Sequence, residues 1–522
     1  MMIMKFIKIS KKVLAVCLTL ATITSCDDKL NEGLDEQPLA KNIDYTKTED
    51  MAGLWIGAYA KLYELQWETF PVLAVRGDDV RANGDQEPLK ATDEFRYVQD
   101  NWMTNAAWQR FYEDIFSFHG VIEEIIKYKE FAPNPALADQ YMAEIKVMIA
   151  FELYQLSRMW GGLLIPTSSQ ALELHNVELS TPEQVMQHII AELDAAMPLL
   201  PTVRPNQRTD LPGGITKHTG LAVRAMASLE LKDYQGAADA TGQIISSNLF
   251  SLEPDYYNLF KKPGKLNSEN ILELQYSDFN QASGTERNYL NAFFGPNSWT
   301  PAVSGASSGW GFWEPSVKYI SFMLDRGEQL RLETSVLFTL QGINFLKDEY
   351  GPLPAWVSNE TRDGDLIGNA SGVDEPRAIF SSGKHYLPST QLTPGRVDYG
   401  SSKNFICIRY AQILLMHAEA LAMGAANTAM TADAAVNAVR SRAGLAPLAG
   451  VTIDDVLDEK FAELAMEWGT RFEDLVRHDR TAELNGSDAT GNVWTYSPDE
   501  QYLPYPQTQV DLLKQLRDAQ PN

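Results

Sequence analysis

The chain has 522 residues, 44% of them hydrophobic and 22% charged. That is a globular composition, which excludes a disordered or fibrous protein. It is long enough for two to four ordinary domains or one large helical array. The formal net charge is −25, and a surface this acidic repels phosphate backbones. It excludes sequence-independent nucleic-acid binding and adhesion to an anionic membrane through a basic face.

The amino terminus carries Lys5, Lys8, Lys11 and Lys12 and then an apolar run from Val13 to Ile23. The run is too short to span a bilayer, which takes roughly 20 residues, and it fits a secretory signal peptide. It closes on Ile23-Thr24-Ser25-Cys26, which resembles a bacterial lipobox. That resemblance implies removal of residues 1–25 and lipidation of Cys26, whose acyl chains contribute about 0.8 kcal/mol per buried CH₂. Asp27-Asp28-Lys29 resembles the surface-export signal of Bacteroidetes lipoproteins. Residues 26–46 read as a polar, lipidated tether. The other cysteines, Cys17 and Cys407, leave no structural disulfide and no zinc motif to expect.

From residue 47 the periodicity is mostly helical. Leu54, Ala58, Leu62 and Leu65 recur at steps of three and four and predict a helix over 50–67. Trp108, Phe111, Tyr112, Ile115, Ile122 and Ile126 predict a second over 105–130; a third runs from Leu137 to Gly161. Thr181-Pro182-Glu183-Gln184 supplies an N-cap, a first-turn proline and a capping-box glutamine for a fourth. Residues 216–231 and 233–248 predict a tight helical hairpin. Ala222, Ala225, Ala227, Ala237, Ala238 and Ala240 are small enough for a close crossing. It resembles the tetratricopeptide unit. Helices return at 408–423, 431–442 and 453–477, the last with a stripe of Leu457, Phe461, Leu464, Trp468, Phe472 and Leu475.

Between these blocks, residues 265–401 read as an irregular insertion rich in Gly, Ser, Pro and aromatics, with a short strand at 270–275. Long irregular stretches inside compact chains usually carry function. The expected organisation is a helical scaffold in two parts, 47–264 and 402–522, around an insertion at 265–401.

Several segments together resemble the SusD/RagB family of outer-membrane lipoproteins. They are Ile408-Arg409-Tyr410-Ala411-Gln412 through Glu419-Ala420, Val439-Arg440-Ser441-Arg442-Ala443-Gly444, Glu467-Trp468-Gly469-Thr470-Arg471-Phe472 and Tyr502-Leu503-Pro504-Tyr505-Pro506-Gln507. Trp468-Gly469 departs from the family's usual order. The resemblance implies a mainly α fold, with a TPR-like helix-pair scaffold and a loop-rich insertion carrying short strands. It implies a cell-surface protein, anchored by lipid in the outer membrane, that captures oligosaccharides or polysaccharides. It delivers them to a partner SusC-like TonB-dependent transporter and has no catalytic activity of its own. Peptide capture and a structural lid with dispensable ligand binding are the alternatives.

A sugar ring offers an apolar C–H face to an indole or phenol and a hydroxyl rim to polar side chains. The candidates are therefore tryptophans outside helical stripes: Trp299, Trp310 and Trp313 in the insertion, Trp67 before the Asp78, Asp79, Arg81 loop, and Trp356. The family resemblance implies that the first loop and the insertion face one another across the ligand. Trp55, Trp102, Trp108 and Trp468 lie on helical stripes and read as core. Glu467 and Arg471 stand four apart and read as an ion pair, with Arg409, Arg440 and Arg442 bracing the same region.

Other signals carry less. Gly305-Ala306-Ser307-Ser308-Gly309 matches G-x-S-x-G without the strand and helix that a nucleophile elbow needs. The seven histidines form no zinc motif. No cofactor is expected; calcium is left open by the acidity, and Asp363, Asp365, Gly368 and Asp374 follow EF-hand spacing except at Ile367.

Overall fold

The computed structural model describes residues 44–48, 50–279, 288–368, 379–393, 400–487 and 493–519. The expected signal segment, Cys26 and most of the tether lie outside these residues. Among the described residues no helix is long and apolar enough to cross a membrane.

The scaffold is a stack of helices. α1 (Asp50–Lys61), α2 (Trp102–Phe131), α3 (Pro135–Trp160), α4 (Pro182–Ala196), α5 (Lys217–Glu230) and α6 (Tyr234–Ser246) form its first part. α7 (Tyr410–Ala422), α8 (Ala432–Arg442), α9 (Ile453–Leu464) and α10 (Thr470–Arg477) form its second. Every residue of α3 from Val147 to Trp160 is buried. A helix apolar or paired all round is an interior helix, and α3 packs on α1, α2, α4 and α5. The capping box of α4 is formed as its sequence dictates: Thr181 Oγ1 accepts from the Gln184 N–H at 3.2 Å, and Gln184 Oε1 accepts from the Thr181 N–H at 2.8 Å. The six alanines of the α5–α6 hairpin are all buried. α6 continues the stack onto α7, which packs on α8 and α9. The fold is mainly α, as the periodicity and the resemblance predict.

Strand β2 (Asn270–Leu274) pairs antiparallel with β8 (Phe405–Arg409), Leu274 opposite Phe405 and Asn270 opposite Arg409. The irregular segment therefore leaves the scaffold and rejoins it at one place. Within it, β3 (Trp299–Thr300) pairs with β6 (Leu366–Ile367), and β5 (Val336–Phe338) with β7 (Phe380–Ser382). β4 (Trp313–Pro315) pairs outward, with β1 (Val80–Ala82) of the first loop. The segment also holds helices at Val317–Asp325, Leu330–Ser335 and Leu340–Tyr350, which the sequence reading did not anticipate. Their starts were marked: Ser316 accepts from Tyr319 N–H and Thr339 from Gly342 N–H, each at 3.0 Å.

The helix expected over 453–477 is broken. α9 ends at Leu464, and Met466 and Gly469 both take left-handed backbone, at φ +63° and +64°. A Cβ at Gly469 would lie 2.4 Å from the Leu73 carbonyl oxygen, so only glycine fits the break. Glu467 and Arg471 consequently do not pair. Glu467 takes Arg409 at 2.6 and 2.8 Å and Lys384 at 2.8 Å, whereas Arg471 takes Asp78 and Glu483. Trp102, read as core, is 54% exposed at the first position of α2. Trp55, Trp108 and Trp468 are buried as expected.

At the α2–α3 contact, Asp114 and Glu152 are both buried, and three of their carboxyl oxygens meet no N–H or O–H donor of another residue. Burial pushes Asp114 up to about 7, with Lys61 opposing. Burial, and then the Asp114 charge, raise Glu152 well above the ordinary range. Groups raised in the folded state stabilise it fully below their unfolded pKa of about 4, and that contribution is lost as pH rises through the folded value. Stability in urea is expected to fall from pH 5 to pH 8 by on the order of 2 kcal/mol through this pair. Glu152→Gln should flatten the profile; an unchanged slope in that variant would refute the assignment.

Candidate functional site

The pairing of β1 with β4 sets Arg81 opposite Glu314 and Ala82 opposite Trp313. The Asn83 N–H donates to the Phe312 carbonyl at 2.7 Å and extends the contact by one residue. The first loop and the insertion thus meet edge to edge. Beside this seam, Trp67 follows a turn of 3-10 helix at Leu62–Gln66 and lies across residues 289–312. Its ring centroid is 4.8 Å from those of both Tyr289 and Phe293. Phe293 in turn lies 5.3 Å from Trp310, and Trp310 5.4 Å from Phe312.

Phe293 is buried, while Trp67, Tyr289, Trp310 and Phe312 are half-buried around it. The result is a shelf of partly open rings on a rigid base. Main-chain bonds hold it: Trp310 N–H donates to Ala292 at 2.5 Å and Phe312 N–H to Phe293 at 2.9 Å. Gly309 is obligatory, since a Cβ there would stand 2.5 Å from the Gly295 carbonyl oxygen. Polar groups border the shelf. Asn83 donates to Glu314 at 3.2 Å, and Gln66 accepts from the Tyr289 N–H at 2.7 Å.

Of the six residues singled out from sequence, Trp67 and Trp310 are the two that this shelf brings together. The other four are engaged elsewhere. Side chains on a strand alternate between faces, and the β4 burial pattern turns Trp313 inward. Its ring lies 4.1 Å from Phe294 and 5.2 Å from His385 and is 0% exposed, so no face is open to a ligand. Trp299, 6% exposed, packs with Leu337, Ile367 and Tyr386. Asp78 is 0% exposed, bound by Arg471 at 2.8 Å and by Lys318. Burial works to raise its carboxyl, but Arg471 and Lys318 hold it below its ordinary value. Arg81 bonds Asp93 at 2.8 Å and lies over the Trp494 ring at 4.8 Å, which fixes the first loop rather than presenting a free cation. Tyr289, Phe293 and Phe312 were missed. Attention to tryptophan alone overlooked them, although the Phe-Trp alternation at 312–313 carried the signal.

The G-x-S-x-G segment is coil between β3 and β4 with Gly305 at φ +91°, not a strand–turn–helix elbow. Asp365 of the EF-hand-like spacing is fully buried. Its oxygens accept from Ala302 N–H, Ser389 N–H, Ser389 Oγ and the Tyr386 hydroxyl, which leaves no lone pair directed at a cation. Asp374 lies outside the described residues.

Known proteins share both sequence and architecture with this chain. A model of the SusD family matches residues 268–521, and one described as starch-binding associating with outer membrane matches residues 34–216. SusD-like protein P2 of Formosa agariphila is 26% identical over 514 residues, covering 93% of this chain and 94% of that protein. A SusD-like protein of Bacteroides ovatus is 22% identical, covering 88% and 81%. Among solved structures, a laminarin binding SusD-like protein superposes with a TM-score of 0.73 at 22% identity, covering 90% of this chain and 98% of its own. Surface glycan-binding protein A from Bacteroides thetaiotaomicron, in complex with laminarihexaose, gives 0.71 at 22% identity with the same coverage. Helix-pair scaffold, two-stranded neck and carboxy-terminal signature thus coincide with matches along nearly the whole chain, which belongs to the SusD family.

Proposed function

We propose that the protein captures neutral oligosaccharides on the Trp67–Tyr289–Trp310–Phe312 shelf and passes them to a partner TonB-dependent transporter. It works at the cell surface, held in the outer membrane by lipid on Cys26, and breaks no bond in its ligand. The observation that carries this reading is the shelf itself. Two segments more than two hundred residues apart are joined by β1 and β4, and four half-buried rings gather around Phe293. Such rings cover the C–H faces of sugars while leaving the hydroxyls to polar side chains and water. Contacts of this kind are individually weak, which suits a protein that must release what it binds. The chain's acidity disfavours sulfated and uronate glycans and favours neutral ones. A starch-binding description of one matching family model and laminarihexaose in a structural neighbour put glucans first among the ligands to try.

The test is Trp67→Ala with Trp310→Ala. Native gels cast with glucans, mannans, xylans and galactans should show retardation of the wild type by one polysaccharide. Affinity in the double variant should fall by roughly 10- to 100-fold with helicity unchanged. Equal retardation of wild type and double variant would sink the shelf as the ligand surface.

A further inference from the structure

Away from the shelf, a cleft of 660 Å³ opens between residues 255–257, the helix Leu330–Ser335, the loop 356–362 and the turn that follows α8. It shares no residue with the shelf. Its volume lies in the range of small-molecule sites, roughly 300–1,000 Å³. Trp356 lines it, half-buried against the core and fixed by a turn in which the Val357 N–H donates to the Pro354 carbonyl at 3.1 Å. Val336 and Leu337 continue the apolar lining.

The rim is polar and its chemistry is selective. Among the described residues the side chains of Gln329, Glu333 and Glu360 meet no hydrogen-bond or ion-pair partner, so their full bonding capacity is directed to solvent or to a ligand. The one cation of the rim, Arg362, is neutralised by a two-pronged contact with Asp255 at 2.9 and 3.1 Å. An indole in the lining with solvent-exposed acceptors around it suits a sugar's apolar face and hydroxyl rim. The surplus of carboxylates repels sulfated or uronate sugars.

We propose that this cleft is a second binding site for a short neutral oligosaccharide, built on Trp356 with Glu333 and Gln329 at its rim. The proposal rests on the glycan reading of the shelf and adds a second point of attachment. Two weak sites on one chain hold a long glycan more tightly than either alone, by effective concentration.

The test uses the mature soluble chain from residue 27. The six-unit oligosaccharide of whichever neutral polysaccharide retards it in native gels is titrated calorimetrically. The proteins compared are wild type, Trp356→Ala, Glu333→Ala and the Trp67→Ala/Trp310→Ala variant. Two equivalents are expected for wild type and one for Trp356→Ala. The shelf variant should retain one equivalent, abolished on adding Trp356→Ala. Glu333 is exposed and its side chain makes no hydrogen bond or ion pair among the described residues, so Glu333→Ala should leave the fold intact and weaken the second site several-fold. One equivalent in wild type, lost in the shelf variant and untouched by Trp356→Ala and Glu333→Ala, would overturn the second site and leave the shelf standing. No retardation by any neutral polysaccharide would overturn both.

Discussion

Glu463→Ala is expected to bring the protein close to unfolding at neutral pH. The Glu463 carboxylate is fully buried and faces three guanidiniums: Arg331 at 3.1 Å, Arg409 at 2.5 Å, and Arg442. Burial alone would raise its pKa; Arg442, Arg409 and Arg331 instead hold it well below the carboxylate range. Removing it leaves buried positive charge without compensation, which costs about 3–5 kcal/mol against a total stability of roughly 5–15 kcal/mol. Urea titration followed by circular dichroism measures the loss. The pH dependence has the opposite sign to that of the Asp114–Glu152 pair. A depressed carboxyl stabilises above its unfolded pKa of about 4.3, and the contribution fades as pH falls toward the folded value. Glu463→Gln should therefore lose less stability than wild type between pH 5 and pH 3. Wild-type stability in Glu463→Ala would show that the network is ornamental.

Trp313→Ala should destabilise, whereas Trp310→Ala should not. The two indoles are three residues apart, yet one is sealed in the core against Phe70, Phe294 and His385 and the other is partly open. Emptying a buried tryptophan site costs roughly 3–5 kcal/mol. Thermal unfolding should show a lowered midpoint for Trp313→Ala, partly restored in Trp313→Phe, and little change for Trp310→Ala. Glycan affinity should move the other way, falling in Trp310→Ala at temperatures where both variants are folded. Equal melting midpoints for the two alanine variants would refute the division between packing and binding.

These contrasts mark what the residues reveal by themselves. The scaffold helices were legible because their apolar residues recur at helical spacing and their ends carry caps, as at Thr181 and Gln184. The shelf was legible only in part. Tryptophans without helical periodicity pointed to the right loops, but which indole faces out depends on a three-residue strand whose partner lies at 80–82. No local pattern encodes a partner that distant. The stripe from Leu457 to Leu475 misled for a related reason. Both α9 and α10 bury the face it marks, so the spacing runs smoothly across a break that only Gly469 signals. The short helices of the insertion were overlooked because aromatic and glycine-rich neighbours outweighed the caps at Ser316 and Thr339.

The two-stranded neck of β2 and β8 bears on how such a protein can diversify. The ends of the intervening segment are hydrogen-bonded neighbours. Lengthening or replacing that segment changes the closure entropy only slowly with its size and leaves the path of the scaffold helices untouched. Ligand preference can therefore be exchanged like a cassette, by recombination at 270–274 and 405–409. An incoming cassette must supply a strand for β1 and a core ring against Phe70, and it also meets an electrostatic constraint. It must bring cations where Arg331 and Lys384 now meet Glu459, Glu463 and Glu467, or the scaffold keeps buried acids that Arg409, Arg440 and Arg442 neutralise only in part.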